Sequence, residues 1–205
     1  MKIIVVGANG MVGSRVTDES VRRGHDVTAV VRGGSPRGVP VVYGNAADRE
    51  QMSTAFSGSD AVVVATRPRP GQEHTVSATT AALLDAAAAT GTRILVVGGA
   101  GPLRSPDRPG LVIEDPSYVP PQWRSSAEAS IAQLRACHGH PADWTYLSPP
   151  AILEPGVRTG HYRRGTTTLV VRPDGTSRIS AEDLAVAIVD ELENPGTDRH
   201  FTVGY

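Results

Sequence analysis

The stretch Lys2–Val16, KIIVVGANGMVGSRV, decides the fold. An apolar run, Ile3 to Val6, meets three glycines set three apart, Gly7, Gly10 and Gly13. The run has the pattern of a strand buried on both faces, and Met11–Arg23 reads as a helix ended by Gly24. A tight turn from strand to helix needs a residue that accepts positive φ, which Gly7 supplies. A side chain at Gly10 would hold a pyrophosphate away from the backbone, and Gly13 lets the helix pack close to the strand. Phosphate oxygens would then face the N–H groups and positive dipole end of the helix. The spacing is GxxGxxG, with Ala8 standing where a GxGxxG pattern has its first glycine.

Beyond this stretch, apolar runs alternate with helical patterns. Strands are expected at Asp26–Val31, Val39–Tyr43, Ala61–Ala65, Arg93–Val97 and Trp144–Leu147. Helices are expected at Asp48–Phe56, Val76–Thr90, Trp123–Cys137 and Ala181–Glu193. This alternation implies a parallel sheet covered on both faces. A flavodoxin-like strand order is compatible with it, but the glycine loop after the first strand favours the Rossmann order. The expectation is a single α/β domain over residues 1–205, a Rossmann-type doubly wound parallel sheet. Residues 1–148 form its core, and 149–205 form a small irregular lobe on the substrate side. In that last part, TTLVVRPDGTSRIS reads as strand, turn and strand, and HFTV as a final edge strand. Ser180 and Asp183 resemble a capping box.

The end of the second strand selects the cofactor. A carboxylate there accepts from the ribose 2′-hydroxyl of NAD, whereas an arginine suits the 2′-phosphate of NADP. The sequence reads VVRGGSPRG, with Arg32 at that position and Arg37 nearby, and no carboxylate lies between Val27 and Ala47. NADP(H) is therefore expected over NAD(H). Asp48 either accepts from the adenine amino group or caps the helix it precedes. Ala65 and Thr66 follow the fourth strand and pass near the adenosine or the pyrophosphate, with Arg67 able to add a phosphate contact.

Composition sets outer limits. The chain has 205 residues, 20 basic and 21 acidic, a net charge of -1 and one cysteine. Nothing in this balance favours nucleic acid or an anionic membrane, and no internal disulfide is possible. A cytoplasmic protein is expected, a monomer or homodimer acting on a small-molecule acceptor. His138 and His140 lack a second ligand pair, so no metal site is expected. Cys137 reads as a buried small hydrophobe, and Asp190, Glu191 and Glu193 as a solvated helix face.

The segments GANGMVG, VVRGG, GSDAVVVA, RILVVGGAG, DWTYLSPPAILEPGVRTGHYR and RHFTVGY together resemble the atypical short-chain dehydrogenase/reductases. The nearest branch is the small NAD(P)H-binding proteins similar to NADH-flavin reductases, biliverdin/flavin reductases and NmrA-like proteins. The resemblance implies that Gly7, Asn9, Gly10, Met11 and Val12 hold the pyrophosphate side and Arg32 the 2′-phosphate. It also implies that Gly98 and Gly99 lie beside the nicotinamide ribose, and that Pro149, Pro150 and Ala151 flank the nicotinamide. The chain departs from the Tyr-x-x-x-Lys pair of most short-chain dehydrogenases. Lys2 is its one lysine, and Gln122 stands four residues after Tyr118. The serine and histidine proton donors of biliverdin reductases fall on Gly99 and Ala151.

Tyr118, His161 and Tyr162 are the remaining candidates for a catalytic acid. Transfer of hydride to a flavin needs little acid catalysis, because the flavin delocalises the added charge. Three functions stay open on the sequence: a reductase of flavin or another planar acceptor, a non-catalytic NADP-binding regulator, and a carbonyl or enone reductase. The walls of the acceptor site are expected in Ala100–Pro121 and Glu154–Gly165, with Trp123 or Tyr118 able to stack on a planar ring.

Overall fold

Ile3 and Val5 point to one face of the first strand and Ile4 and Val6 to the other, and each pair enters a different buried cluster. That two-sided burial recurs across the sheet and fixes its layers. The computed structural model describes residues 1–34, 36 and 38–205. The strands are β1 (Lys2–Val6), β2 (Asp26–Val31), β3 (Val41–Tyr43), β4 (Ala61–Val64), β5 (Arg93–Val97), β6 (Trp144–Ser148), β7 (Ile152–Glu154), β8 (Arg163–Gly165), β9 (Arg178–Ser180) and β10 (His200–Gly204). The helices are α1 (Met11–Arg22), α2 (Arg49–Phe56), α3 (Val76–Thr90), α4 (Arg124–Cys137) and α5 (Ala181–Glu193).

The main sheet runs β3-β2-β1-β4-β5-β6-β10-β8, and every pair is parallel except β10 with β8. This is the expected Rossmann-type order, with its reversal between β1 and β4. Helices α1 and α5 cover one face, and α2, α3 and α4 the other. Helix α3 stops at Gly91, which takes the left-handed conformation (φ 65°). No helix among the described residues is long and apolar enough to cross a membrane.

Three expectations are corrected. HFTV is not an edge: β10 lies inside the sheet between β6 and β8, and the antiparallel edge strand is β8. TTLVVRPDGTSRIS keeps its turn and its last strand, β9, but not its first. Its turn exists, with Gly175 N–H donating to Arg172 O, but Thr168 bridges to Arg104 and β9 pairs in parallel with β7 as a separate two-stranded sheet. Nor is the acidic end of α5 simply a solvated face, although Glu193 stays exposed. Glu191 is buried and paired with Arg93 and Arg164, while Asp190 and Glu193 hold Arg23. The reason is that α5 packs along α1, so these carboxylates meet the arginines of the neighbouring elements.

The same interactions explain the segment PGVRTGHYR. Gly156 N–H donates to Glu182, and Arg158 forms a two-pronged pair with buried Glu19 on α1 at 2.8 Å for each bond. Thr159 and Gly160 donate backbone N–H groups to Asp183 at 2.8 Å, joined by the hydroxyls of Thr159 and Tyr205 at 2.6 Å. Asp183 is fully buried. Burial alone would raise its pKa, but these four donors outweigh it and hold the carboxyl below its usual value. The expected cap is half present. Ser180 Oγ accepts from Asp183 N–H, but the reciprocal bond to Ser180 N–H goes to the Tyr205 hydroxyl. A third, smaller cluster of Leu103, Val112, Ile113, Val119, Ala127 and Leu169 fastens the proline-rich loop to the C-terminal lobe.

Acid should unfold the protein in two separable steps. Burial, with His138 adding to it, lowers the His200 pKa from 6.5 to about 4. The unfolded chain therefore binds the extra proton first, and stability falls as pH drops from about 6.5 towards 4. Glu19 is held at about 2, chiefly by Arg158, so its contribution is present above about 4.5 and is lost between there and 2. Urea unfolding measured from pH 7 to pH 3 should show the first decline in wild type, and His200→Gln should flatten it without touching the second. Asp183→Ala should cost about 3 kcal/mol or more at pH 7, since it strands several buried donors.

Candidate functional site: a dinucleotide crevice

The turn after β1 is drawn tight by its own backbone. Gly7 has φ 88° and donates its N–H to Val30 O at 2.9 Å, and a Cβ there would lie 2.6 Å from Ala65 O. A Cβ at Gly13 would collide with the Gly7 carbonyl, so α1 sits as close to β1 as backbone allows. Gly10 differs from expectation in its local reason. Its Cβ position is 3.2 Å from Gly7 O and 3.7 Å from Ala65 O, so it points into the turn and not only toward a ligand.

Helix α1 begins with Gly10 as a cap without a side-chain bond, and no acidic residue lies in its first turn. The N–H groups of Met11, Val12 and Gly13 therefore have no partner within the helix. Helices α2 and α5 are built otherwise. Asp48 caps α2 by accepting from Gln51 N–H, with Glu50 in the first turn, and Ser180 caps α5 with Glu182 and Asp183 following. These two carry their own anions, and α1 does not. Helices α3 and α4 also lack a side-chain cap and a first-turn acid, but each continues from a 3₁₀ turn, Glu73–Thr75 and Pro121–Trp123, whereas α1 opens directly from the glycine turn and so fits as the helix whose positive end receives a phosphate group. The Asp48 carboxylate, for its part, is engaged in capping.

Arg32 follows β2 directly and is exposed, and among the described residues it pairs with no carboxylate. Its loop is tied to the glycine turn: Asn9 Nδ2 donates to Gly33 O at 2.6 Å. Asn9 thus bridges the turns after β1 and β2, a role that its sequence position does not reveal. Arg37 lies outside the described residues. Ala65 N–H donates to Val6 O, which brings Thr66 and Arg67 to the mouth of the crevice beside the glycine turn.

After β5, Gly98 and Gly99 have a packing reason to be glycines. A Cβ at Gly98 would fall on the Tyr146 hydroxyl, and one at Gly99 would lie 3.1 Å from Ser130 Cβ on α4. Pro149 and Pro150 are buried at the end of β6, and Ala151 N–H donates to Ser177 Oγ. These residues line the carboxyl ends of β5 and β6.

The three acid candidates are not brought together. The Tyr162 hydroxyl donates to Asp190 at 2.6 Å, and burial with that carboxylate pushes its pKa far above the usual value. Tyr118 sits 3.4 Å from Asp107 and 3.5 Å from Gly175 O, and burial again raises its pKa. His161 faces a cavity of about 470 Å³ bounded by Val157, Arg172, Arg178 and Tyr205, which none of the glycine-turn residues line. Cys137 is buried, its thiol pushed up to about 12 by burial. Among the described residues no group of acidic, histidine or cysteine side chains could hold a metal ion. One pairing went unread in the sequence: the Arg67 guanidinium lies over the Trp123 ring, 5.5 Å from its centre.

The sequence pattern of the NAD(P)H-binding family runs across residues 7–195. The chain belongs to this family. It is similar to the uncharacterized protein YwnB of Bacillus subtilis (strain 168), with 36% identity over 99% of this chain and 98% of that one. A 3-diazoavenalumate denitrifying reductase of Streptomyces sp. is 30% identical over 96% of this chain and 74% of its own. Among solved structures, a candidate NADH-flavin reductase from Streptococcus pneumoniae TIGR4 superposes with a TM-score of 0.90 at 29% identity, covering 100% and 99% of the two chains. The family's shared ligand, the NAD(P)H dinucleotide, matches the uncapped α1 end and the glycine turn.

Gly13→Ala should test the turn. The added methyl must displace the Gly7 carbonyl, so the melting temperature should fall by several degrees and NADPH affinity by at least tenfold. Thermal melts with and without NADPH check both.

Proposed function

We propose that the protein is an NADPH-dependent reductase whose acceptor is a flavin or another small planar molecule. The observation that carries this reading is the crevice itself. An uncapped helix end lies beside an exposed arginine at the end of β2, and among the described residues none of Tyr118, His161 and Tyr162 stands free at the mouth as an acid. The bound dinucleotide supplies the hydride. The residues supply the rest. Met11, Val12 and Gly13 offer N–H groups to the pyrophosphate. Arg32 offers a guanidinium to the 2′-phosphate, and the bond from Asn9 to Gly33 holds its loop near the glycine turn. Ala65, Thr66 and Arg67 border the middle of the crevice, and Gly98 and Gly99 border the ribose side. Pro149, Pro150 and Ala151 give an apolar floor that excludes water from the reacting end.

The engagement of Tyr162 by Asp190 favours an acceptor that needs no protein acid. A carbonyl acceptor develops alkoxide charge and requires a donor, whereas a flavin disperses the added electrons over its ring. Two relatives are named as reductases, one for flavin and one for a diazo compound, which supports reduction as the shared chemistry. Residues 149–205 are read as the acceptor-side lobe.

Arg32→Ala should weaken NADPH binding by about ten- to one-hundred-fold and leave NADH nearly unchanged, as expected for loss of a charge-assisted pair. Calorimetric titration of both cofactors into wild type and variant checks this. Equal affinity of wild type for the two cofactors would remove the 2′-phosphate role. NADPH oxidation should appear when FMN or riboflavin is added, and His161→Ala should retain it within a factor of three. Tight NADPH binding without turnover on flavins or quinones would instead mark a non-catalytic binding protein.

A further inference from the structure

Trp123 is half exposed, with 51% of its surface open, although tryptophan is among the largest apolar side chains in the chain. Its backbone is nevertheless fixed. Pro120 and Pro121 lead into a short 3₁₀ turn, Pro121–Trp123, that runs directly into α4. On either side of it Val119 and Ala127 are anchored in the third hydrophobic cluster. The indole is thus held out on a rigid support.

Among the described residues its ring meets one cation, the guanidinium of Arg67, 5.5 Å from the ring centre. Arg67 is exposed and among the described residues pairs with no carboxylate. It stands two residues after Ala65, whose carbonyl oxygen touches the glycine turn. The pair therefore lies at the carboxyl edge of the sheet, where β4 ends and α4 begins, on the α4 side of the crevice. A cation over an aromatic ring at an exposed position is a weak contact and is easily exchanged for another face.

We propose that Trp123 is a stacking platform for the acceptor, and that Arg67 moves from the indole to an anionic group on the same molecule. The ligand class is a planar, electron-poor ring system that bears a phosphate or carboxylate. An electron-poor ring stacks on the electron-rich indole, and the displaced guanidinium finds a charged oxygen in place of a π face. Arg67 then serves the acceptor in addition to bordering the dinucleotide. The proposal rests on the reductase reading above, but binding alone can test it.

The probes are FMN and riboflavin, which differ by one phosphate, added to the cofactor-free protein and to its NADPH complex. Flavin emission should be strongly quenched on binding to wild type, because stacking on indole quenches it. Trp123→Leu should weaken flavin binding about five- to one-hundred-fold and abolish the quenching. Trp123→Phe should recover part of the affinity. The exposed position lets these variants fold, which thermal melts verify, and NADPH affinity should stay within twofold. Arg67→Ala should erase the preference for FMN over riboflavin. In turnover, Trp123→Leu should raise the KM for flavin far more than it lowers kcat. Flavin that binds and quenches in wild type without being reduced would leave the platform standing and remove the reductase reading. Failure of FMN to bind wild type, or unchanged flavin affinity and emission in Trp123→Leu, would overturn the platform.

Discussion

The contact of Gly13 with the Gly7 carbonyl is the constraint on which the rest depends. It sets the distance between α1 and β1 at its lower limit and so fixes where the positive end of α1 opens. Gly7 in turn is pressed against Ala65 at the end of β4. The reversal of strand order between β1 and β4 therefore carries a rigid seam of backbone and not a cleft lined by adjustable side chains. Methyl groups at these glycines would do more than shrink the site; they would part the strands from the helix that completes it.

A second set of forces orders the opposite half. The carboxylates of Glu19, Asp183 and Glu191 are drawn inward and matched by arginines, hydroxyls and backbone donors. Isolated, such groups would carry a heavy desolvation cost; here each has several donors. Arg23 alone reaches Glu19, Asp190 and Glu193. A lobe with little regular structure is thereby given a single arrangement on α1 and α5, while the apolar cluster around Leu103 and Leu169 joins it to the loop after β5.

The sheet and the glycine turn were legible because their signals are local. A run of β-branched residues ended by Gly7 states both the strand and its turn, and Arg32 sits at a position fixed by β2. The C-terminal third was not legible for the opposite reason. The acidic end of α5 looks solvated until Arg23, 167 residues away in the chain, is brought beside it. Thr168 reads as part of a strand until Arg104 takes its backbone. The interior place of β10 depends on β8, three residues long and without an apolar pattern of its own. Arg158 and Asp183 also belong here: the sequence reads Asp183 only as part of a capping box and gives Arg158 no role, and their partners make both the fastening of the lobe.

The single lysine has a consequence for handling the protein. Lys2 opens β1, so its ammonium lies at the amino edge of the sheet, about 15 Å of strand away from the glycine turn. Reagents that attack lysine side chains, whether surface couplings, cross-linkers or fluorophore esters, are confined to that edge. A molecule tethered through them stands on a support with its crevice facing outward.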